Sequence, residues 1–228
     1  MIRLFHVSKV YPPNAAALRD INLQIDKGEF VFLTGPSGAG KSTLLKLLFR
    51  QEEPSEGQIL INGKSVTKLN NRGVARLRRQ MGLVFQEFKF LPYMTALDNV
   101  ALAALVVGAP RRESYTKGYR LLCDLGLKEK CNAKPLALSG GEQQRIAIAR
   151  ALINDPIVML ADEPTGNLDP ASADETMHLL LRIQERGTTI LIASHNHDLV
   201  QRYGTRIVSL RQGCLMDDAE RARGEWAR

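Results

Sequence analysis

Gly35-Pro36-Ser37-Gly38-Ala39-Gly40-Lys41-Ser42 fits the pattern G-x-x-x-x-G-K-[S/T] in full, and Thr43 follows it. The glycines allow backbone turns closed to other residues, so that successive N–H groups can wrap phosphate oxygens. A helix opening here adds its positive end. Lys41 is placed to meet the β- and γ-phosphates of a nucleoside triphosphate, and the Ser42 hydroxyl to hold Mg²⁺. By average composition a chance match in a chain of this length arises in roughly 1% of cases. This one also sits after an apolar run, "FVFLT", and before an apolar helical stretch, which is the context the chemistry requires.

Asp162 and Glu163 end a second apolar run, "IVMLADE". Open α/β sheets bind ligands at the carboxyl ends of their strands, and unpaired buried carboxylates there cost several kcal/mol. A Mg²⁺ ion and an attacking water would give each acid a partner. Asp162 is the metal-side carboxylate in that reading, and Glu163 the general base or the group that orients the water. The competing reading is a solvated loop after a strand. His195 follows "TTILIAS" and can hydrogen-bond a γ-phosphate; His197 is close enough to be confused with it, and His195 is preferred because it directly follows the strand. Gln86 ends "MGLVFQ", where a neutral amide can reach Mg²⁺ or water. Each of these two, taken alone, is equally a structural polar residue at a strand end.

Ser139-Gly140-Gly141-Glu142 is a second glycine-rich helix start. A capping box accounts for Ser139 and Glu142 completely. It does not account for two glycines in a first helical turn, each costing about 1 kcal/mol relative to alanine. Something approaches that backbone closely, and a phosphate is the economical candidate. The first loop already takes one face of a nucleotide, so this site would meet the other face, supplied by a second copy of the chain.

The elements that position these groups alternate. Residues 2–33 read as strands with turns at Pro12-Pro13-Asn14 and Lys27-Gly28, and "GQILING" and "MGLVFQ" as further strands. Residues 95–153 read as mostly helical, with a capping box at Thr95 and Asp98. Residues 171–186 form a helix stopped by Gly187. Strands alternating with helices on both sides of a helical stretch predict an α/β sheet carrying a helical insertion.

The totals permit this. The 228 residues suit one domain with an inserted lobe, and 44% hydrophobic with 24% charged residues is ordinary for a globular protein. The net charge of +7, partly from Arg72, Arg76, Arg78 and Arg79 and partly from Arg221, Arg223 and Arg228, suits an anionic surface or a solvated basic face. Cys123, Cys131 and Cys214 form no C-x-x-C pair, which suits a reducing compartment. No apolar run approaches the roughly 18 residues of a membrane span, and "MIRLFHVSKVY" alternates and carries charge, unlike a signal peptide.

Taken in order, these motifs resemble the ATP-binding cassette (ABC) ATPases over nearly the whole chain. "LSGGEQQR" matches that family's signature, residues 157–162 its second acidic strand with Glu163 in the catalytic position, and residues 164–169, ending Asn167-Leu168-Asp169, its D-loop. The resemblance implies a P-loop NTPase with a RecA-like core sheet, an N-terminal antiparallel β subdomain and an inserted α-helical subdomain. The whole of 1–228 is then a single ABC ATPase domain: 1–86 and 155–228 as core with the β subdomain, 87–154 as the helical subdomain carrying the signature. It implies Tyr11 as the aromatic that stacks on adenine. It implies an ATP-dependent head-to-tail homodimer, in which Ser139, Gly140, Gly141, Glu142 and Asp169 complete a neighbour's ATP site. Gln86 joins Ser42 and Asp162 around Mg²⁺.

Within the family the finer match is to the cell-division branch, through "FLTGPSGAGKSTLLKLLF", "RRQMGLVFQEFKFLPYMTALDNV" and "LADEPTGNLDP". Lipoprotein-release and macrolide-export ATPases share "DEPTGNLD" and "DNV". Pro36, where histidine is common in that branch, and Asn196, where aspartate usually follows the switch histidine, depart from it. The branch implies a polytopic membrane subunit docking near residues 86–94, where Phe88, Phe90, Leu91 and Tyr93 lie. It also implies other divisome proteins as associates and a place at the cytoplasmic face of the plasma membrane. A soluble ABC ATPase acting on nucleic acid or ribosomes is permitted by the charge. Such proteins carry two cassettes or a long coiled-coil insertion, and this chain has neither, so no nucleic-acid partner is expected.

Overall fold

The computed structural model describes residues 1–220; Arg221, Arg223 and Arg228 lie outside the described residues. The chain divides into two compact units, 1–78 with the chain from 181 onward, and 79–180. Residues 1–78 contain β1 (Ile2–Tyr11), β2 (Ala15–Ile25), β3 (Phe30–Thr34), α1 (Lys41–Leu48), β4 (Glu56–Ile61), β5 (Lys64–Ser65) and most of α2 (Asn71–Arg79). Next come β6 (Met81–Val84), α3 (Ala96–Val106), α4 (Arg111–Asp124), α5 (Gly140–Leu152), β7 (Val158–Asp162) and α6 (Pro170–Glu185). The chain then adds β8 (Thr189–Ala193), α7 (His197–Tyr203), β9 (Arg206–Arg211) and β10 (Cys214–Glu220).

In the first unit, β2-β1-β4-β5 form an antiparallel sheet. β1 alternates buried Ile2 and Leu4 with exposed Arg3 and Phe5, the pattern of a sheet covered on one face. β4 and β5 are joined at Asn62 (φ 49°) and Gly63 (φ 74°), the Asn-Gly pair that a type I′ hairpin demands. β3 lies between β8 and β9, parallel to both, with β10 antiparallel on β9. Every residue of β3 and β8 is buried, so both read as continuous apolar runs. Phe30 and Phe32 meet edge to face at 5.7 Å, and burial of each such side chain is worth about 1.5–3 kcal/mol. Arg206 ties this region together: it donates to Glu29 (2.6 Å), to Asp218 (2.7 and 2.6 Å) and to the Gln24 carbonyl (2.7 Å).

In the second unit β6 and β7 pair in parallel, with Val84 opposite Ala161. The helices α3, α4 and α5 share a core that includes Val100, Ala104, Leu122, Ile146 and Ala149. Thr95 and Ser139 both close reciprocal capping boxes, on α3 and α5. The expected helix at 171–186 runs Pro170–Glu185, and Gly187 (φ 98°) follows it.

Candidate functional site

β3 delivers the glycine loop. Gly35 (φ 141°), Gly38 (φ 77°) and Gly40 (φ 108°) all hold positive φ. A Cβ on Gly35 would lie 2.2 Å from the Leu210 carbonyl oxygen, and one on Gly40 would lie 2.6 Å from that of Ala17. These two glycines are therefore demanded by close approach of neighbouring backbone as well as by conformation. The Lys41 ammonium curls back over the loop and donates to the carbonyls of Gly35 (2.7 Å) and Pro36 (3.1 Å). α1 starts at Lys41 after Gly40, which offers no side-chain cap, unlike the caps of α3 and α5. The first turn of α1, with Ser42 and Thr43 in it, has no capping side chain on its backbone donors.

Gly213, in the two-residue turn between β9 and β10, braces this loop. Its N–H donates to Ala39 O (3.1 Å), and its own carbonyl accepts from Arg19 N (2.8 Å). Sequence reasoning did not single out Gly213; the signal was the Gln-Gly pair in a tight hairpin. Tyr11 is the last residue of β1, and Lys9 places its ammonium 4.8 Å from the ring centroid. His195 lies two residues past β8, whereas His197 is the first residue of α7. Asn196 has its own task there: its side chain accepts from Leu199 N (3.2 Å) and caps α7.

Tyr11, the glycine loop and His195 belong to the first unit; Gln86, Asp162, Glu163, Ser139 to Glu142 and Asp169 belong to the second. There, β6 and β7 end side by side. Asp162 closes β7, and Glu163 follows in the left-handed region at φ 48°, a conformation that costs an ordinary residue about 1–2 kcal/mol. Such strain gathers where a side chain must be aimed. The Glu163 carbonyl accepts from Gly166 N (3.1 Å), and Asn167 donates to Gln86 O (3.3 Å). A Cβ on Gly166 would lie 3.6 Å from both Gln86 Nε2 and Glu163 Cβ. Gln86 and Glu163 thus converge on the tight turn that leads to Asp169. Asp169 in turn accepts from Ser172 N (3.0 Å) and caps α6.

Ser139 accepts from Glu142 N (3.2 Å) while Glu142 accepts from Ser139 N (2.9 Å), and Lys130 stands 3.5 Å from Glu142. The backbone donor of Ser139, with its hydroxyl and Lys130 in support, holds the Glu142 carboxyl below the usual carboxylate range. The adjoining glycines have neighbours within the same chain: a Cβ on Gly141 would lie 2.8 Å from Ser172 Oγ, and one on Gly140 3.3 Å from Leu168 Cδ2.

Between Gln86 and α3 runs an apolar loop. Phe88 and Phe90 stack at 5.4 Å and 21°, while Leu91, Tyr93 and Met94 are exposed, Tyr93 to 89%. Two side chains fix its course. Arg150, at the end of α5, donates to Lys89 O (3.0 Å) and Phe88 O (2.5 Å) and covers the Phe90 ring at 5.1 Å. Asn99, buried on α3, accepts from Leu91 N (2.8 Å) and donates to Leu91 O (3.1 Å) and Thr95 O (2.9 Å). Neither residue stood out in the sequence.

The ABC transporter family pattern matches residues 18–166. The chain is 49% identical to the cell division ATP-binding protein FtsE of Mycobacterium tuberculosis, covering 97% of this chain and 96% of that protein. It is 43% identical to FtsE of Bacillus subtilis (99% and 98% covered) and 45% identical to FtsE of Escherichia coli (94% and 97% covered). Among solved structures it resembles a dimeric ATP-binding cassette in a post-hydrolysis state bound to ADP and Pi. The TM-score is 0.87 at 37% identity, covering 96% of this chain and 98% of that one. It also resembles cbiO1 of Clostridium perfringens, with a TM-score of 0.88 at 30% identity, covering 96% and 88%. The expected α/β nucleotide-hydrolase architecture is the fold of this chain.

Proposed function

The chain belongs to the ABC transporter family as an ATP-binding, ATP-hydrolysing cassette, and from that premise we propose that it is the ATPase subunit of an FtsEX-like complex. ATP turnover in the cytoplasm would drive a membrane partner that controls cell-wall hydrolysis during division. The observation that carries the chemical part is the convergence of Gln86 and Glu163 on one turn at the ends of β6 and β7. That convergence supports reading Glu163 as a water-orienting carboxylate and Gln86 as a neutral amide that senses the γ-phosphate side.

In this reading Gly35, Pro36, Ser37, Gly38, Ala39 and Gly40 cradle the phosphates. Lys41 exchanges the carbonyls of Gly35 and Pro36 for phosphate oxygens, and Thr43 extends the cradle into α1. Tyr11 stacks on the base, Glu163 activates water, and His195 contacts the γ-phosphate. Ser42, Gln86 and Asp162 offer a hydroxyl, an amide oxygen and a carboxylate, an all-oxygen set that fits Mg²⁺. Among the described residues no three His, Cys, Asp or Glu converge as metal ligands. In this reading phosphate and water complete the ion's shell, and the ion would supply charge neutralisation at the phosphates when bound. Ser139, Gly140, Gly141, Glu142 and Asp169 act on the ATP of a second copy, so the working species is a head-to-tail homodimer. We assign 87–154 as the helical subdomain and 1–86 with 155–228 as the core.

No helix among the described residues is long and apolar enough to cross a membrane. Attachment to the cytoplasmic face of the plasma membrane would come through an FtsX-like polytopic subunit seated on the loop at 86–94, with other divisome proteins assembled around it. The test is affinity purification from membranes with the wild-type chain and with Tyr93→Asp. The expected result is a four-span subunit bound to the wild type and lost from the variant, with ATP affinity unchanged. A larger lipoprotein-exporter subunit in its place would move the chain to the lipoprotein-releasing or macrolide-export systems. An unchanged yield with Tyr93→Asp would remove the docking site.

A further inference from the structure

Helix α5 joins two features that the sequence kept apart. Ser139 caps it and its first turn carries Gly140 and Gly141, while its last turn carries Arg150, about 15 Å from Gly140 along the axis at 1.5 Å per residue. The partners of Arg150 are two backbone carbonyls and an aromatic ring rather than a carboxylate. Burial pulls the guanidinium pKa down from its usual range. A desolvated cation whose donors are satisfied only by one loop conformation strongly disfavours release of that loop. Lys89, between the two carbonyl contacts, sits at φ 51°, a second sign that the loop is held in one shape. Asn99 grips the other end through both backbone groups of Leu91. The exposed side chains of Leu91, Tyr93 and Met94 therefore project from a loop pinned at two points, to α5, which carries the signature, and to α3, which shares its core.

We propose that Arg150 and Asn99 are positioning residues that couple the exposed apolar loop to the signature: a displacement at Tyr93 reaches Ser139 to Gly141 through Arg150 and the rigid length of α5. This rests on the reading that a membrane subunit docks on that loop. Arg150 works as a fork, since one planar group satisfies two carbonyls while covering Phe90. A lysine in its place keeps the charge and loses the geometry.

The experiment compares the wild type, Arg150→Lys and Asn99→Ser, each as the full chain co-purified with its membrane subunit and reconstituted in phospholipid nanodiscs. The readouts are melting temperature, ATP affinity and basal hydrolysis rate of the chain alone, yield of the membrane subunit, and the kcat and KM of partner-stimulated hydrolysis. The expected result for Arg150→Lys is unchanged ATP affinity, basal rate, subunit yield and KM. Stimulated kcat falls on the order of tenfold, the size of a typical coupling between sites. Asn99→Ser shows the same split and keeps the test in force if Arg150→Lys does not fold. Full stimulation in a folded, subunit-bound variant overturns the inference and leaves the docking reading intact. Loss of subunit binding in Arg150→Lys also overturns it, because the residue would then act in docking. A wild-type chain that captures no membrane subunit removes the docking reading, and this inference with it.

Discussion

The amide of Gly213 donates to the carbonyl oxygen of Ala39, linking the turn between β9 and β10 to the phosphate loop at 3.1 Å. Gly213 holds φ 79°, and a Cβ there would lie 2.8 Å from the Ala17 carbonyl oxygen. Gly213→Ala therefore combines a conformational cost of about 1–2 kcal/mol with a push against β2 that displaces the brace. Gly28→Ala is the control: φ is 77° and nothing lies within 4 Å of the added carbon. Both variants should melt earlier, but only Gly213→Ala should weaken ATP binding in calorimetry. Equal ATP affinity in the two would sink the idea that this turn shapes the loop.

The groups of the candidate site that are local in sequence are the ones legible there. Gly35 to Thr43 carry loop, lysine and helix start within one short stretch, and the two capping boxes are four-residue patterns that the structure reproduces at Thr95 and Ser139. What escaped is non-local. Gly213 reaches Ala39 from the far end of the chain, and Arg150 reaches Phe88 over 62 residues. No periodicity encodes such pairings. At Gly141 a close approach is legible in the glycine itself, but Ser172 of the same chain is an approaching group that composition and spacing do not reveal.

The capping boxes should make the second unit sensitive to acid. The carboxyls of Glu142 and Asp98 are both held below their ordinary values of 4.5 and 3.8, by the Ser139 backbone donor and the Thr95 hydroxyl respectively. A depressed folded-state pKa contributes stability that is fully present above the unfolded value and is lost as pH falls through the folded one. Melting temperature followed by circular dichroism should therefore drop from about pH 4.5 downward. Glu142→Gln and Asp98→Asn should each flatten that slope while lowering stability at neutral pH. A slope identical to wild type in the double variant would show that these caps do not govern the acid transition.

Glu163→Gln preserves size and hydrogen-bonding capacity at a residue whose backbone is held at φ 48°. It should leave ATP affinity nearly unchanged while turnover falls by about 10²–10⁴-fold, the range for loss of a general base. ATP should then accumulate a stable dimer, visible by size-exclusion chromatography with light scattering and dispersed by EDTA. A variant that stays monomeric with saturating ATP and Mg²⁺, alone and with its membrane subunit, would refute the two-copy ATP site.

The remaining question is why residue 141 is a glycine, and two causes make different predictions. One lies within the chain: a Cβ would press on Ser172 Oγ at 2.8 Å and on Ser172 Cβ at 3.2 Å. The other lies between copies, where a phosphate would need the bare backbone at the start of α5. Gly141→Ala confounds them, since it injures both. Ser172→Gly removes the internal neighbour, at about 1 kcal/mol for a glycine in the first turn of α6. In Gly141→Ala/Ser172→Gly the melting temperature should return to that of Ser172→Gly alone, because the clash is gone. Hydrolysis should stay low, because the added methyl still faces the partner's nucleotide. Recovery of hydrolysis together with stability would mean that Gly141 serves only packing against Ser172, and that the trans contact is made by Ser139 and Gly140 without it.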